Sequence, residues 1–150
     1  MARAIELSLE NIRSNQGGPF AALVVKNAKI ISEGTNRVTS TNDPTAHAEI
    51  VAIREACRNL RRFDLAGCEI YATCEPCPMC LGAIYWARLA RIYFANTAAD
   101  AAKIGFDDSL IYDEIRRPLT ERRIPMIPLM RDAAKRVFDA WEVMPDKISY

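Results

Sequence analysis

The residues best suited to chemistry lie in two short segments, TAHAEI and EPCPMC. The second carries Cys77 and Cys80 in a C-x-x-C pair, and the first carries His47, the only histidine of the chain. Pro78 favours the first position of a helix, so we expect a helix to begin directly after Cys77. Backbone N–H groups and the helix dipole at such a start favour thiolate over thiol. Two thiolates and one imidazole suit zinc best, so these three residues are predicted to bind one zinc ion.

Glu49 follows His47 by two residues, and both are predicted to lie in the first turn of a helix. Side chains at a frayed helix end can lean past it, so the carboxylate is expected close to the metal without binding it. Three protein ligands leave the fourth zinc position open to water, which is the catalytic pattern. Zinc would lower the pKa of that water, and Glu49 would take up its proton and pass it on.

Other uses of the cysteines remain open at this point. A closed structural zinc site would use Cys74 as a fourth ligand beside His47, Cys77 and Cys80. The CEPCPMC spacing is similar to that of iron–sulfur proteins, but no cysteine follows Cys80. A redox dithiol would have no use for the upstream His-x-Glu. That pair, combined with Pro-Cys-x-x-Cys, is a signature of zinc deaminases. The remaining cysteines are expected in the core: Cys57 and Cys68.

Composition indicates an ordinary globular chain. Its 150 residues are 50% hydrophobic and 26% charged, which predicts a single domain spanning 1–150. The formal net charge of +1 is small for a nucleic-acid-binding protein. No long apolar run or signal sequence is evident, and the five cysteines are an odd number. We therefore expect a cytoplasmic protein with reduced thiols and no membrane partner.

The apolar pattern alternates between helix and strand periods. An amphipathic helix is predicted before Gly17, and a hairpin is predicted around the polar turn at 26–29. A second helix should begin near Pro44 and Thr45. Strands are expected at CEIYAT and ARIYFAN, with helical segments after them. Because crossover helices join parallel strands, this order predicts an α/β sandwich whose later strands are parallel. Three sets of apolar residues mark helices, and the second set forms a stripe on one helix face: Ile5, Leu7, Leu9 and Ile12; Ile50, Ile53, Cys57 and Leu60; Val137, Phe138 and Trp141.

The segment HAE followed by EPCPMCLGAIYWAR resembles the cytidine deaminase superfamily of zinc-dependent base and nucleoside deaminases, and the resemblance extends from Gly17 to Tyr150. It implies a three-layer α/β/α sandwich with a mixed central sheet flanked by helices. It also implies one zinc ion per chain. Within the superfamily, four features resemble the bacterial guanine deaminases: GGPFAA, NDPTAHAEI, IGFDDSLIYDEI and a C-terminal tyrosine.

This resemblance implies a reaction and a set of roles. Guanine would be hydrolysed to xanthine and ammonia by attack of the activated water at C2, with Glu49 as the proton shuttle. The substrate would be a small purine base rather than a nucleic acid. A homodimer exchanging the C-terminal segment, about 130–150, is also implied. Asp108 is implied to be the carboxylate that contacts the substrate, and the neighbouring Asp107 is the alternative. The residues implied to contact substrate are Phe20, Asn36, Ala48, Trp86, Asp108 and Tyr150.

One departure from the family pattern is visible. Guanine deaminases have glycine after Pro-Phe where this chain has Ala21, which raises a question about the wall of the pocket.

Three other functions compete. A tRNA-specific adenosine deaminase would share the zinc site but should carry a basic rim. A related enzyme could act on guanosine, cytosine or an aminated triazine. A catalytically silent zinc domain would not need Glu49.

Overall fold

A mixed four-stranded sheet carries the two predicted zinc segments. The computed structural model describes residues 1–149, and its strands are β1 (Ala21–Lys26), β2 (Lys29–Thr35), β3 (Glu69–Cys74) and β4 (Arg91–Asn96). Their order is β2-β1-β3-β4. Strand β1 is antiparallel to both neighbours, and β3 is parallel to β4. The predicted parallel pairing of the later strands is therefore confirmed.

The predicted hairpin between β1 and β2 is present. Asn27 and Ala28 form its two-residue turn, with φ of 49° and 61°. Two consecutive positive φ values are typical of the tight turns that join antiparallel strands. Ala28 occupies a position where glycine is the usual choice, so sequence reasoning gave only a weak signal for this turn.

Helices cover both faces of the sheet. Alternate residues of β1 point to opposite faces. Leu23 packs with Leu7 on one face, whereas Val24 shares a core cluster with Ala52 and Ile84 on the other. This alternation gives the three layers that the resemblance implied. The helices between Met1 and Asp108 are α1 (Ala2–Arg13), α2 (Val38–Thr41), α3 (Ala48–Leu60), α4 (Pro78–Trp86) and α5 (Ala98–Lys103).

The amphipathic helix predicted before Gly17 is present as α1, but not all of the apolar residues that marked it are buried. Leu7 is buried, but Ile5, Leu9 and Ile12 are exposed. The polar side chain of Asn11 is buried instead. Hydrogen bonds to the carbonyl oxygens of Gly18 and Asn36 satisfy its buried side-chain amide.

Helix α3 begins later than predicted. The carboxylate of Asp43 accepts hydrogen bonds from the N–H and hydroxyl groups of Thr45, at 2.8 and 2.7 Å. This local turn keeps the chain out of the helix until Ala48. The predicted stripe on α3 is confirmed: Ile50 and Ile53 are buried, and the two later residues of the stripe are half-buried against the same core.

Gly34 allows α3 to approach β2 closely. A Cβ atom at this position would lie 2.3 Å from the carbonyl oxygen of Ala48 and 2.5 Å from the amide nitrogen of Ala52. Ser32 on the same strand donates a hydrogen bond of 2.7 Å to the carbonyl oxygen of Ala52. The first turns of α3 are therefore held against the sheet by backbone contact.

The chain after Asp108 forms a separate unit. Its described helices are α6 (Ser109–Arg116) and α7 (Arg131–Glu142), with a short 3-10 helix, Leu119–Glu121, between them. A carboxylate oxygen of Glu114 accepts a hydrogen bond of 2.7 Å from the amide of Arg123. Across residues 1–149, no helix is both long and apolar enough to cross a membrane.

Replacing Gly34 with alanine should destabilise the protein, because the added methyl group forces α3 away from β2. We expect Gly34→Ala to lower the free energy of unfolding by about 1–3 kcal/mol in urea titrations. Gly82→Ala is the matched control, since a Cβ there meets nothing within 4 Å. Gly82 lies inside α4, so alanine should leave stability unchanged or raise it by up to about 1 kcal/mol. Equal losses in the two variants would contradict the close-approach argument.

Candidate metal centre

Two of the predicted ligands are the residues that immediately precede helices. His47 is the N-cap of α3 and Cys77 is the N-cap of α4. Both have extended backbones, with φ, ψ of −68°, 155° and −63°, 166°. Neither side chain makes a capping hydrogen bond to its own helix, so both remain available to a metal. The prediction that His47 lies within the first helical turn was wrong by this one position.

The three predicted ligand atoms converge. Nδ1 of His47 lies 3.5 Å from the Sγ atoms of both Cys77 and Cys80. All three atoms lie within 4.8 Å of one another. Tetrahedral zinc with ordinary Zn–S and Zn–N bonds would separate nitrogen from sulfur by about 3.6 Å. The donor set and its spacing therefore fit zinc, and Nδ1 is the ring nitrogen that faces the sulfur atoms.

Hydrogen bonding within the group separates the pKa values of the two thiols. The hydrogen bond from Cys80 lowers the pKa of Cys77 to about 4, with a further contribution from His47. The same bond, together with burial, raises the pKa of Cys80. The hydrogen bond with Cys77 raises the pKa of His47. Neighbouring thiolates repel each other, so a divalent cation is needed to keep both ionised.

Glu49 lies in the first turn of α3 and is only 8% exposed. Burial raises the pKa of its carboxyl group, and the negative charge of Cys77 adds to the effect. Its oxygens are not part of the three-atom ligand group. A buried carboxyl beside a metal site, with its pKa shifted toward neutrality, suits proton transfer.

Cys74 does not complete a four-ligand site. Its sulfur lies 3.5 Å from the carbonyl oxygen of Thr97, to which the thiol donates. Within residues 1–149, the metal-ligand group contains His47, Cys77 and Cys80 without Cys74. Burial raises the pKa of the Cys74 thiol, as expected for a core residue at a strand end. The geometry is therefore that of an open site rather than a closed structural one.

Asn36 is buried and tightly held. Its Oδ1 accepts hydrogen bonds from the backbone amides of Gly18, at 3.2 Å, and Val38, at 3.3 Å. The backbone N–H of Asn36 donates to the carbonyl oxygen of Phe20 at 3.0 Å. The side-chain oxygen is thus committed to the backbone, which leaves the Nδ2 group as the donor available to a ligand.

Phe20 has an aromatic partner that sequence reasoning missed. Its ring meets Phe106 edge to face, with centroids 4.9 Å apart and planes at 88°. Gly105 precedes Phe106 with a φ of +93°, a conformation that favours glycine. Gly18 lies against both rings. The glycine in the IGFDDS segment indicates a turn, but it does not indicate that Phe106 would pack on Phe20.

Asp108 is half-buried, whereas Asp107 is exposed. Burial raises the pKa of Asp108, and the negative charge of Cys77 raises it further. Asp108 is thus the less exposed of these two adjacent carboxylates.

The other predicted contact residues differ in where they lie. Ala48 is buried and follows His47 directly. Trp86 ends α4 with its side chain 70% exposed, at the opposite end of that helix from Cys77. Ala21 packs beneath α1, so its methyl group is part of the core on the other face of the sheet. Tyr150 lies outside the described residues.

An α/β/α fold that sets two cysteines, one histidine and a buried glutamate around the N-termini of two helices is the arrangement of a zinc-dependent deaminase. The chain belongs to the family of the cytidine and deoxycytidylate deaminase zinc-binding region, which matches residues 1–96.

Relatives cover different shares of the chain. A guanine deaminase of Bacillus subtilis (strain 168) is 49% identical over 150 residues, which are 100% of this chain and 96% of the relative. The X-ray structure of guanine deaminase from Bacillus subtilis superposes with a TM-score of 0.96 at 49% identity, covering 99% of this chain and 95% of that one. A tRNA-specific adenosine deaminase of Aquifex aeolicus is 48% identical over 77 residues, 51% of each chain. The chain is therefore a zinc-binding hydrolytic deaminase with the predicted fold.

Removing a ligand should abolish zinc binding, whereas removing the nearby Cys74 thiol should not. We expect Cys80→Ser protein to lose most of its zinc on gel filtration, because the remaining two ligands cannot hold it. Cys74→Ser is the control and should retain close to one ion per chain, measured by plasma mass spectrometry. Loss of zinc from Cys74→Ser, with its helical circular dichroism unchanged, would instead indicate the closed four-ligand site.

Proposed function

We propose that this protein hydrolyses guanine to xanthine and ammonia. The observation that carries the proposal is the extent of the similarity to the Bacillus subtilis guanine deaminase, which spans the whole chain at 49% identity. The tRNA-specific relative matches only 51% of the chain. Zinc deaminases with either substrate need the same metal motifs, so a match over about half the chain does not favour the tRNA substrate.

The catalytic residues that we propose are His47, Cys77 and Cys80 as zinc ligands and Glu49 as the proton carrier. Bound zinc would supply Lewis-acid activation of a water molecule. The Glu49 carboxylate accepts the proton that this water loses as its oxygen bonds to C2 of guanine. Glu49 then protonates a ring nitrogen beside C2, takes the second proton from the hydroxyl group now bonded to C2, and delivers that proton to the departing amine. Guanine and water are consumed, and xanthine and ammonia leave, so atoms and charge balance.

Burial prepares Glu49 for this role. A carboxyl group exposed to water would be too weak a base and too rarely protonated near neutral pH to carry protons in both directions. Burial raises the pKa of Glu49, which brings the two protonation states closer in energy. Its place in the first turn of α3 fixes it two residues from His47.

Substrate recognition would use the polar groups that surround the ligand group. The Nδ2 group of Asn36 would donate to an acceptor on the rim of the base. Asp108 would accept from its ring N–H groups, which suits a carboxylate because guanine is rich in such donors. Phe20 and Phe106 offer apolar surface beside a planar ring. Ala48 leaves room next to His47. Trp86 would line the slot from a partner chain, and Tyr150 would close it.

We also propose that the chain forms a single functional domain, 1–150, within a homodimer that exchanges its C-terminal segments. None of the residues of α7 is buried. Val137 and Phe138 are 66% and 76% exposed, although they form the apolar face of an amphipathic helix. A partner chain would cover that face. Light scattering of the full-length protein and of a chain ending at Met130 would test the dimer, and a full-length monomer would contradict it.

A cytoplasmic location follows from the chemistry proposed. The five cysteines are free thiols, and two of them must stay reduced to bind zinc. Fractionation of cells that produce the protein would check this location.

Zinc-loaded protein should release ammonia from guanine far faster than from guanosine, cytosine, cytidine, an aminotriazine or a tRNA anticodon stem-loop. Glu49→Gln should keep its zinc and lose about 10²–10⁴-fold in kcat, because the amide cannot carry the proton. Glu55→Gln on the same helix is the control, since its side chain pairs with Arg58 at the surface.

Each outcome of this panel has a distinct meaning. Turnover confined to the stem-loop would replace the substrate but keep the zinc chemistry. Full activity of Glu49→Gln would contradict the mechanism.

Asp108→Asn should raise KM for guanine more than Asp107→Asn does, and the reverse order would reassign the base-contacting carboxylate.

A further inference from the structure

We propose that Asn11 is a positioning residue for substrate binding, acting through Asn36. The side-chain amide of Asn11 donates hydrogen bonds to the backbone carbonyl oxygens of Gly18 and Asn36. These two bonds hold the Nδ2 donor of Asn36 in one orientation. The inference rests on the proposed function, because Asn36 is the residue that would contact the base. It assigns a role in that function to a helix that carries no catalytic group.

Asn11 is 4% exposed and lies in the last turn of α1. Its Nδ2 donates two hydrogen bonds of 3.0 Å, one to the carbonyl oxygen of Gly18 and one to the carbonyl oxygen of Asn36. Both acceptors are backbone atoms, and the second belongs to the candidate substrate residue itself. This buried amide is costly to replace, because its loss removes a donor from the carbonyl of Asn36 and leaves the carbonyl of Gly18 with only the backbone amide of Phe20, at 2.8 Å.

Gly18 links the two asparagines. Its carbonyl oxygen accepts from Asn11, and its amide donates to Oδ1 of Asn36 at 3.2 Å. Asn11 therefore fixes the peptide segment that in turn fixes the side chain of Asn36. The second hydrogen bond, to the carbonyl of Asn36, fixes the backbone from which that side chain extends.

Glycine at positions 17 and 18 makes this arrangement possible. A Cβ atom on Gly17 would lie 2.2 Å from the carbonyl oxygen of Asn36, and one on Gly18 would lie 3.2 Å from the rings of Phe20 and Phe106. The loop after α1 thus packs against the backbone of Asn36 and against both aromatic rings. A shift of this loop would move the proposed donor and the aromatic wall together.

The alternative is that Asn11 merely anchors α1. The chain provides a control for this, because Ser8 on the same helix donates a hydrogen bond of 2.8 Å to the carbonyl oxygen of Pro19. That bond joins the same helix to the same loop without touching Asn36. A residue that only anchors the helix should behave like Ser8.

The test is a double-mutant cycle on the zinc-loaded, full-length protein. Asn11→Asp keeps the size of the side chain but removes both N–H donors. We expect kcat/KM for guanine to fall about tenfold, mainly through KM, with zinc content unchanged. In an Asn36→Ala background, where no amide remains to be positioned, Asn11→Asp should cost less than twofold. Ser8→Ala should also cost less than twofold.

Two results would overturn the proposal: the same loss in both backgrounds, or an equal loss in Ser8→Ala. Should Asn11→Asp fail to fold, Asn11→Ala takes its place, compared with Leu7→Ala, which destabilises the same helix through the core. If Leu7→Ala raises KM as much as Asn11→Ala, instability explains the effect and the proposal fails. Absence of guanine turnover in the unsubstituted protein would refute the proposed function instead, which keeps the two failures distinguishable.

Discussion

The site depends on the convergence of two helix N-termini. The side chains of His47 and Cys77 stand where a helix usually places a capping group, yet neither caps its own helix. The unpaired N–H groups and positive dipole ends at these starts favour negative charge in front of them. In this chain that negative charge comes from thiolates. Cys77 supplies one, and Cys80 in the first turn of α4 supplies the second. The positive ends of both helix dipoles therefore lie at the group of ligand atoms.

The sheet makes that convergence possible. Helix α3 reaches its position because Gly34 lets its backbone touch β2, and α4 reaches its position because it connects the parallel strands β3 and β4. Both helices lie on the face of the sheet that carries Val24. On the other face α1 packs on Leu23, and from there Asn11 extends its amide to the loop that holds Asn36. Both layers of helices thus contribute to one site.

Sequence reasoning found the metal ligands because their chemistry is local. A single histidine, a C-x-x-C pair and Pro78 at a helix start limit the choice severely. The helix boundary at Ala48 was missed because Pro44 is also a good helix start, and because histidine is not among the usual N-cap residues. The choice of Nδ1 depends on ring orientation, which no residue pattern encodes.

Contacts across the fold were harder to predict. Asn11 interrupts an apolar helix face, and a polar residue at such a position is ordinarily taken as exposed. Its partners lie 7 and 25 residues away, so no local pattern reveals them. Phe106 was missed for the same reason, because its packing on Phe20 requires the turn at Gly105. Trp86 was predicted from resemblance alone, and its exposed position was not evident from the motif.

The central claim is that three protein ligands, and no more, hold the metal. X-ray absorption at the zinc edge of the purified, fully loaded protein tests it most directly. The account predicts two sulfur neighbours at about 2.3 Å and two lighter neighbours, one from His47 and one from solvent, at about 2.0–2.1 Å. Three sulfur neighbours would bring Cys74 into the site, close it to water and contradict the claim.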